Sequence, residues 1–190
     1  MARTRITAGE WRGRVVGTPT GTGIRPTRSM VRESLFNIVA DRVAGARVLD
    51  LYAGAGTLGF EALSRGAATA TFVDRDPAAL RLVATTAERL RCGDRCRLVR
   101  ASVIAWARRS GREIAAADLC FIDPPYREAE LDRVLEILGL SPPALVVCEH
   151  HEKHRLPTRI GALAPVRAVR HGLTTLTFLQ RTTDGAQPVP

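Results

Sequence analysis

The chain has 190 residues, 45% of them apolar, and its 28 Lys plus Arg against 19 Asp plus Glu leave a formal charge of +9. A chain of this length can bury roughly two thirds of its unfolded surface in one core, which excludes global disorder and favours a single domain. No apolar run approaches the ~20 residues that cross a bilayer, and the start MARTRITAGEWRGR has no apolar stretch of the secretory kind, so a cytoplasmic location without membrane attachment is expected.

The charge is concentrated at one end. The first 32 residues hold seven arginines and one acidic residue, Glu10, so six of the nine net charges lie there. Every basic residue except Lys153 is arginine, the side chain that pairs bidentately with phosphate and stacks on bases. A nucleic-acid partner is therefore expected, docked through Arg3, Arg5, Arg12 and Arg14, with Trp11 either stacking on RNA or plugging the segment against the core.

In chain order, residues 3–8 and 11–17 read as two short strands around Gly9-Glu10, a basic hairpin, and a Gly/Pro/Thr-rich loop follows. Met30, Val31, Leu35, Ile38, Val39 and Val43 recur at helical spacing, which predicts an amphipathic helix over 29–44. Strands then alternate with helices. Strands are expected at 48–52, 69–74, 96–100, 118–123 and 144–149, and helices at 58–65, 77–91, 103–112 and 128–138. This rhythm implies a parallel sheet with right-handed crossovers, covered on both faces. Two β-rich segments at 162–170 and 173–181, separated by His171-Gly172, read as a closing antiparallel hairpin. The organisation expected is an N-terminal basic extension over 1–28, a core domain over 29–182 and a frayed tail over 183–190.

Cys92 and Cys96 lie in CGDRC, and Cys120 and Cys148 lie in apolar runs. Neither arrangement has zinc-ligand spacing, and HHEKH lacks the His-Glu-x-x-His order, so reduced cysteines, a solvated histidine loop and no metal are expected. Trp106, on a helix, is expected in the core.

The cofactor signal is VLDLYAGAGTLGFEAL, with Gly54-x-Gly56-x-x-Gly59 between a strand and a helix. Asp74 closes the next strand 20 residues after Gly54, a position suited to a ribose diol. A NAD-dependent dehydrogenase shares these features. Asp50, at the mouth of the first strand, discriminates. A carboxylate there repels a pyrophosphate but attracts the ammonium and sulfonium of S-adenosylmethionine, by about 4 kcal/mol at 4 Å and an effective dielectric of ~20 before desolvation.

The chemical signal is Asp123-Pro124-Pro125-Tyr126, after the apolar strand ADLCFI. Consecutive prolines leave both ladder and helix, giving a stiff loop at the carboxyl edge of the sheet, where open α/β sheets bind ligands. The Asp123 carboxylate and Pro124 carbonyl are two acceptors for the two hydrogens of a planar exocyclic amine. The Tyr126 ring offers a stacking face to a base taken out of its helix. The loop does not choose among amines: adenine N6 or cytosine N4 of DNA, and a protein amide, stay open. So does a non-catalytic ribosome-binding factor that uses only the basic end.

With these blocks in place, the sequence resembles the RsmD family of bacterial small-subunit rRNA guanine-N2 methyltransferases. The matching stretches are RITAGEWRGR, RPTRSMVRESLFN, LDLYAGAGTLGFEALSRGA, FVDRD, FIDPPY and a final strand ending TFLQR. The resemblance implies a Rossmann-like class I S-adenosylmethionine-dependent methyltransferase fold, with a seven-stranded, mostly parallel sheet and a C-terminal antiparallel hairpin. It also implies a 16S rRNA substrate within an assembled or assembling 30S subunit, and a monomeric enzyme. Asp123, Pro124 and Tyr126 match the catalytic positions. Asp50, Tyr52, Gly54, Gly56, Asp74, Arg75 and Ser102 match cofactor positions, as do Arg25, Thr27, Arg32 and Phe36 of the block expected to close over the methionine end. Ser102 departs from the Asp or Asn that such enzymes often place against the adenine.

Overall fold

The computed structural model describes residues 4–17, 29–124 and 128–182. Arg3, Arg25, Thr27, Tyr126 and the expected tail lie outside the described residues.

Five parallel strands, β1 (Arg47–Leu51), β2 (Thr69–Asp74), β3 (Cys96–Arg100), β4 (Leu119–Ile122) and β5 (Leu145–His151), are followed by the hairpin β6 (Leu163–His171) and β7 (Thr174–Arg181). They form one seven-stranded sheet in the order β3-β2-β1-β4-β5-β7-β6, with β7 antiparallel to both neighbours. The strand order reverses between β1 and β4, and the loops leaving that point form a ligand crevice in open α/β sheets. Among the described residues no helix is long and apolar enough to cross a membrane.

Alternation along the central strands sorts the core into two layers. Leu119, Phe121, Leu145 and Val147 face α1 (Ser29–Ile38), α2 (Thr57–Ser64) and α3 (Pro77–Leu90). Cys120, Ile122, Val146 and Cys148 face α4 (Val103–Ala107), α5 (Gly111–Ala116) and α6 (Glu128–Leu140), where Trp106 is also buried. Both faces are covered, so both parities of these strands are apolar. The helix expected over 29–44 ends at Ile38 and continues as a 3-10 turn, Ala40–Arg42. That expected over 103–112 is broken at Ser110-Gly111, two poor helix formers, into α4 and α5. In HHEKH, His150 and His151 end β5, His150 Nε2 lies 2.8 Å from Thr177 Oγ1 and His154 Nε2 lies 2.9 Å from Asp132 Oδ1, while His151 and Lys153 are exposed.

The N-terminal segment departs most from expectation. Its two arms pair through Ile6 N–H to Arg14 O at 2.9 Å and Gly13 N–H to Ile6 O at 2.9 Å, around an isolated bridge Arg5–Val15. The turn occupies 8–13, and the segment is not a separate extension, because Ile6, Trp11 and Val16 are buried in the same core layer as α1 and α2. It is a strap laid along α2. Glu10 N–H donates to Ser64 O at 2.8 Å, Trp11 N–H to Ser64 Oγ at 2.9 Å, and Ser64 Oγ to Ala8 O at 2.7 Å. Gly9 makes this approach possible: its φ is +82°, and a Cβ there would stand 1.9 Å from Ser64 O. Trp11 is only 7% exposed, with the Arg95 guanidinium 5.4 Å above its ring, so its expected stacking on RNA is corrected to a core plug.

Glu61 fastens the strap. It is fully buried on α2, and its carboxylate accepts from Thr7 N at 3.0 Å, Thr7 Oγ1 at 2.6 Å, Ala8 N at 3.1 Å, Arg32 Nε at 3.2 Å and Arg65 Nε at 3.0 Å. One buried and one half-buried cation, with three neutral donors, compensate one buried anion, the condition under which such a charge is tolerated. Strap, α1 and α2 are locked together at this carboxylate.

Candidate active site

The site is assembled at the carboxyl ends of β1, β2, β3, β4 and β5. Asp50, in β1, is 3% exposed, and its Oδ2 accepts from Gly59 N at 2.9 Å inside the first turn of α2. A Cβ on Gly59 would stand 2.3 Å from the Phe72 ring, so the third glycine serves close packing of α2 on β2. After β1 the chain turns through Tyr52, a non-glycine residue at φ +61°, whose hydroxyl donates to Glu130 Oε1 at 2.9 Å. Strained backbone of this kind gathers at functional sites, where surrounding contacts enforce it.

Asp74 stitches the glycine loop to β2. Its Oδ2 accepts from Gly54 N and its Oδ1 from Asp76 N, both at 2.8 Å. A carboxylate has about four lone-pair directions, so both oxygens keep acceptor capacity for a ligand diol. Gly54 is half-buried at the loop, whereas Gly56 is buried beneath it with φ +77° as the N-cap of α2. Arg75 and Ser102 are exposed at the ends of β2 and β3, and the Ser102 hydroxyl makes no cap bond to α4.

Burial, with further increments from the Asp123 and Asp74 charges, pushes the Asp50 carboxyl up to about 8, against a smaller lowering by the Gly59 N–H. Asp50 lies under the loop and holds α2 through the Gly59 N–H. Asp74 and Asp123 are the acidic groups whose charges reach Asp50, so the edge above it is receptive to positive charge. The donor set therefore fits a ligand carrying both a cationic centre and a diol. A stability consequence follows. The unfolded Asp50 loses its proton near pH 4 while the folded one keeps it to about pH 8, so unfolding free energy declines as pH rises through that window. Asp50→Asn is expected to flatten the decline in denaturant titrations of the ligand-free protein at stepped pH.

Asp123 is exposed at the end of β4 and lines a cleft of about 200 Å³ beside the switch point. Thr4 of the strap, Val31 and Leu35 of α1, and Leu58 of α2 form its walls, and Glu149, at the end of β5, shares it with Asp123. Pro124 follows half-buried. Two expected cofactor contacts are corrected. Phe36 is fully buried, its ring 5.5 Å from Phe121 and capped at 4.9 Å by the Arg65 guanidinium, so it is core. Arg32 borders the cleft, but its Nε is committed to Glu61 and its Nη2 donates to Arg5 O at 2.7 Å, so its first task is to hold the strap. Arg5, Arg12 and Arg14 are exposed on the strap whose Thr4 lines the cleft, and Arg5 Nη1 donates to Gly13 O at 2.8 Å.

Sequence reading passed over Glu61, Ser64 and Glu149. Glu61 had a signal, an acidic residue inside the apolar helix GFEAL with Arg65 four positions on. Ser64 had none. Glu149 ends the apolar run ALVVC as Asp123 ends ADLCFI, a correspondence that becomes legible once β4 and β5 are known to be neighbours.

The sheet order, the glycine turn and the acidic switch-point edge define the class: a Rossmann-like class I S-adenosylmethionine-dependent methyltransferase fold. The family model described as Conserved hypothetical protein 95 matches residues 4–180, and the chain belongs to that family, the RsmD type that its sequence resembles. It is 36% identical to Ribosomal RNA small subunit methyltransferase D of Escherichia coli strain K12, over 81% of this chain and 78% of that protein. It is 33% identical to YlbH of Bacillus subtilis, named as a candidate rRNA methyltransferase, over 93% and 98% of the two chains. The solved structure of the Escherichia coli methyltransferase candidate yhhF superposes with a TM-score of 0.84 at 33% identity, covering 95% of this chain and 98% of that one.

Proposed function

We propose that this protein transfers a methyl group from S-adenosylmethionine to the exocyclic N2 amine of a guanine in 16S rRNA, presented by an assembling or assembled 30S subunit in the cytoplasm. The observation that carries the reading is Asp123 lining an apolar-walled cleft at the point where the strand order reverses, with Asp74 and the Gly54 turn at the ends of the neighbouring strands. S-adenosylmethionine supplies an activated methyl group on a sulfonium. Asp74 holds its ribose hydroxyls, the Gly54 loop passes under its methionine part, and Arg75 and Ser102 flank its adenine. Arg25 and Thr27 close over the methionine end.

Guanine N2 is nearly non-basic because its lone pair is delocalised into the ring. Asp123 and the Pro124 carbonyl accept its two hydrogens and favour the tetrahedral nitrogen that develops during in-line attack, an orientational and electrostatic contribution. Tyr126 stacks on the flipped base. The proton leaves after transfer, so no strong base is needed beforehand.

Arg3, Arg5, Arg12 and Arg14 dock the rRNA. Replacing Arg12 and Arg14 by Gln, which spares the Arg5 bond to Gly13, is expected to weaken RNA binding and reduce the log–log salt slope by about 2, with S-adenosylhomocysteine affinity unchanged. The reading itself is tested by incubating labelled cofactor with unmodified 30S subunits and digesting the rRNA to nucleosides. Label in N2-methylguanosine supports it; label in another nucleoside, in protein, or nowhere overturns it.

A further inference from the structure

Glu149 is the side chain in the cleft that the methyl-transfer chemistry leaves unused. In the β4–β5 register Ile122 lies opposite Cys148, so the next residues, Asp123 and Glu149, emerge side by side from adjacent parallel strands, about 4.8 Å apart in backbone spacing. Each strand alternates, and Phe121 and Val147 below them belong to the core layer under α1 and α2. Asp123 and Glu149 therefore continue that same face, and both line the one cleft. Its walls are largely apolar, from Val31, Leu35, Leu58 and Leu176, which suits the faces of a planar base. Its floor edge presents two carboxylates, with Arg32 at the wall.

Resting on the guanine-N2 reading above, we propose that Glu149 is the specificity residue that reads the N1–H of the target guanine while Asp123 holds the N2 amine. Guanine is the base whose exocyclic amine is flanked on the Watson–Crick edge by a ring N–H. In adenine and cytosine the atom beside the amine is an unprotonated ring nitrogen with a lone pair. Two adjacent carboxylates match the donor–donor edge of guanine. With adenine or cytosine in the same pose, Glu149 would face a lone pair, an acceptor against an acceptor in a desolvated cleft, and a site built to receive a hydrogen bond rejects a partner that cannot donate one. The apolar walls thus tolerate any base, and the acidic pair selects.

The test uses the full-length protein, labelled S-adenosylmethionine and unmodified 30S subunits, with N2-methylguanosine quantified after nucleoside digestion. Glu149→Ala is expected to lower kcat/KM by about 10- to 100-fold, and Glu149→Gln, which keeps a neutral acceptor, to fall between it and the wild type. Melting temperature and S-adenosylhomocysteine affinity stay at wild-type values in both variants. A Glu149→Ala rate within about twofold of wild type overturns the assignment, as does a loss matched by a drop in cofactor affinity or melting temperature, which would make Glu149 a cofactor or packing residue. Absence of N2-methylguanosine from the wild-type reaction is a separate result: it removes the guanine-N2 reading, and this assignment with it.

Discussion

Asp123→Ala is expected to lower methyl transfer by about 10²- to 10³-fold while S-adenosylhomocysteine binds with essentially wild-type affinity. In the proposed mechanism the variant loses one of the two acceptors that orient the amine hydrogens. The Pro124 carbonyl stays, since it belongs to the backbone of a loop stiffened by two prolines. Asp123 is exposed at the strand end, so its removal opens no cavity in the core. Its charge also helps to raise the Asp50 carboxyl. Burial is the larger cause of that shift, and the Asp50 bond from Gly59 and the Asp74 bond from Gly54 stay in place in the variant. Turnover and cofactor affinity therefore separate in this variant. Single-turnover rates on 30S subunits, with calorimetric binding of S-adenosylhomocysteine, measure the separation; near-native turnover, or a parallel loss of both quantities, goes against the assigned role.

Glu61→Ala is expected to destabilise the protein by about 3–5 kcal/mol, the usual consequence of removing one partner from a buried ion pair. Arg32, at 6% exposure, would keep its charge with only the Arg5 carbonyl as a named acceptor, and Arg65 would lose the carboxylate it reaches four positions back. Thr7 N–H and Ala8 N–H would lose their acceptor at the same time. For a chain of this size the shift corresponds to a melting temperature lower by roughly 6–20 °C. The effect reaches the cleft, because Thr4, Val31, Arg32 and Leu35 line it and the strap and α1 are the elements that Glu61 fastens. Methyl transfer should thus fail at temperatures where the sheet is still folded, visible as a lower temperature optimum than the unfolding curve alone gives. A melting shift under about 2 °C would show that the strap is held by its apolar contacts and not by this carboxylate.

The contrast between these two residues explains what the sequence could reveal. Asp123 follows an apolar strand and precedes two prolines in sequence, residues that do not continue a ladder, so its position at the carboxyl edge is legible from neighbours in the chain. The strand order is legible for the same reason: βα alternation with right-handed crossovers leaves few arrangements. Glu61 receives donors from Thr7 and Ala8, more than fifty residues away in the chain, and only Arg65 lies within a helical turn. Trp11 shows the same limit. A tryptophan among arginines looks like a base-stacking residue, yet the strap exposes Arg12 and Arg14 while Ile6, Trp11 and Val16 are buried. The surplus positive charge lies on the outer side of a segment whose inner side is core. Asp50 and Phe36 sit within matched motif blocks, but their contribution runs through Gly59 and through Phe121, and no local pattern separates holding a loop from touching a ligand.

The central claim is that this chain methylates one guanine of 16S rRNA at N2. Its most direct test is nucleotide-resolution mass mapping of 16S rRNA from otherwise identical cells with and without the protein. The expected result is one guanine that carries an N2 methyl group with the protein and none without it, restored by the wild type and not by Asp123→Ala. An unchanged map, or a methyl group lost from an adenine or cytosine, would contradict the account.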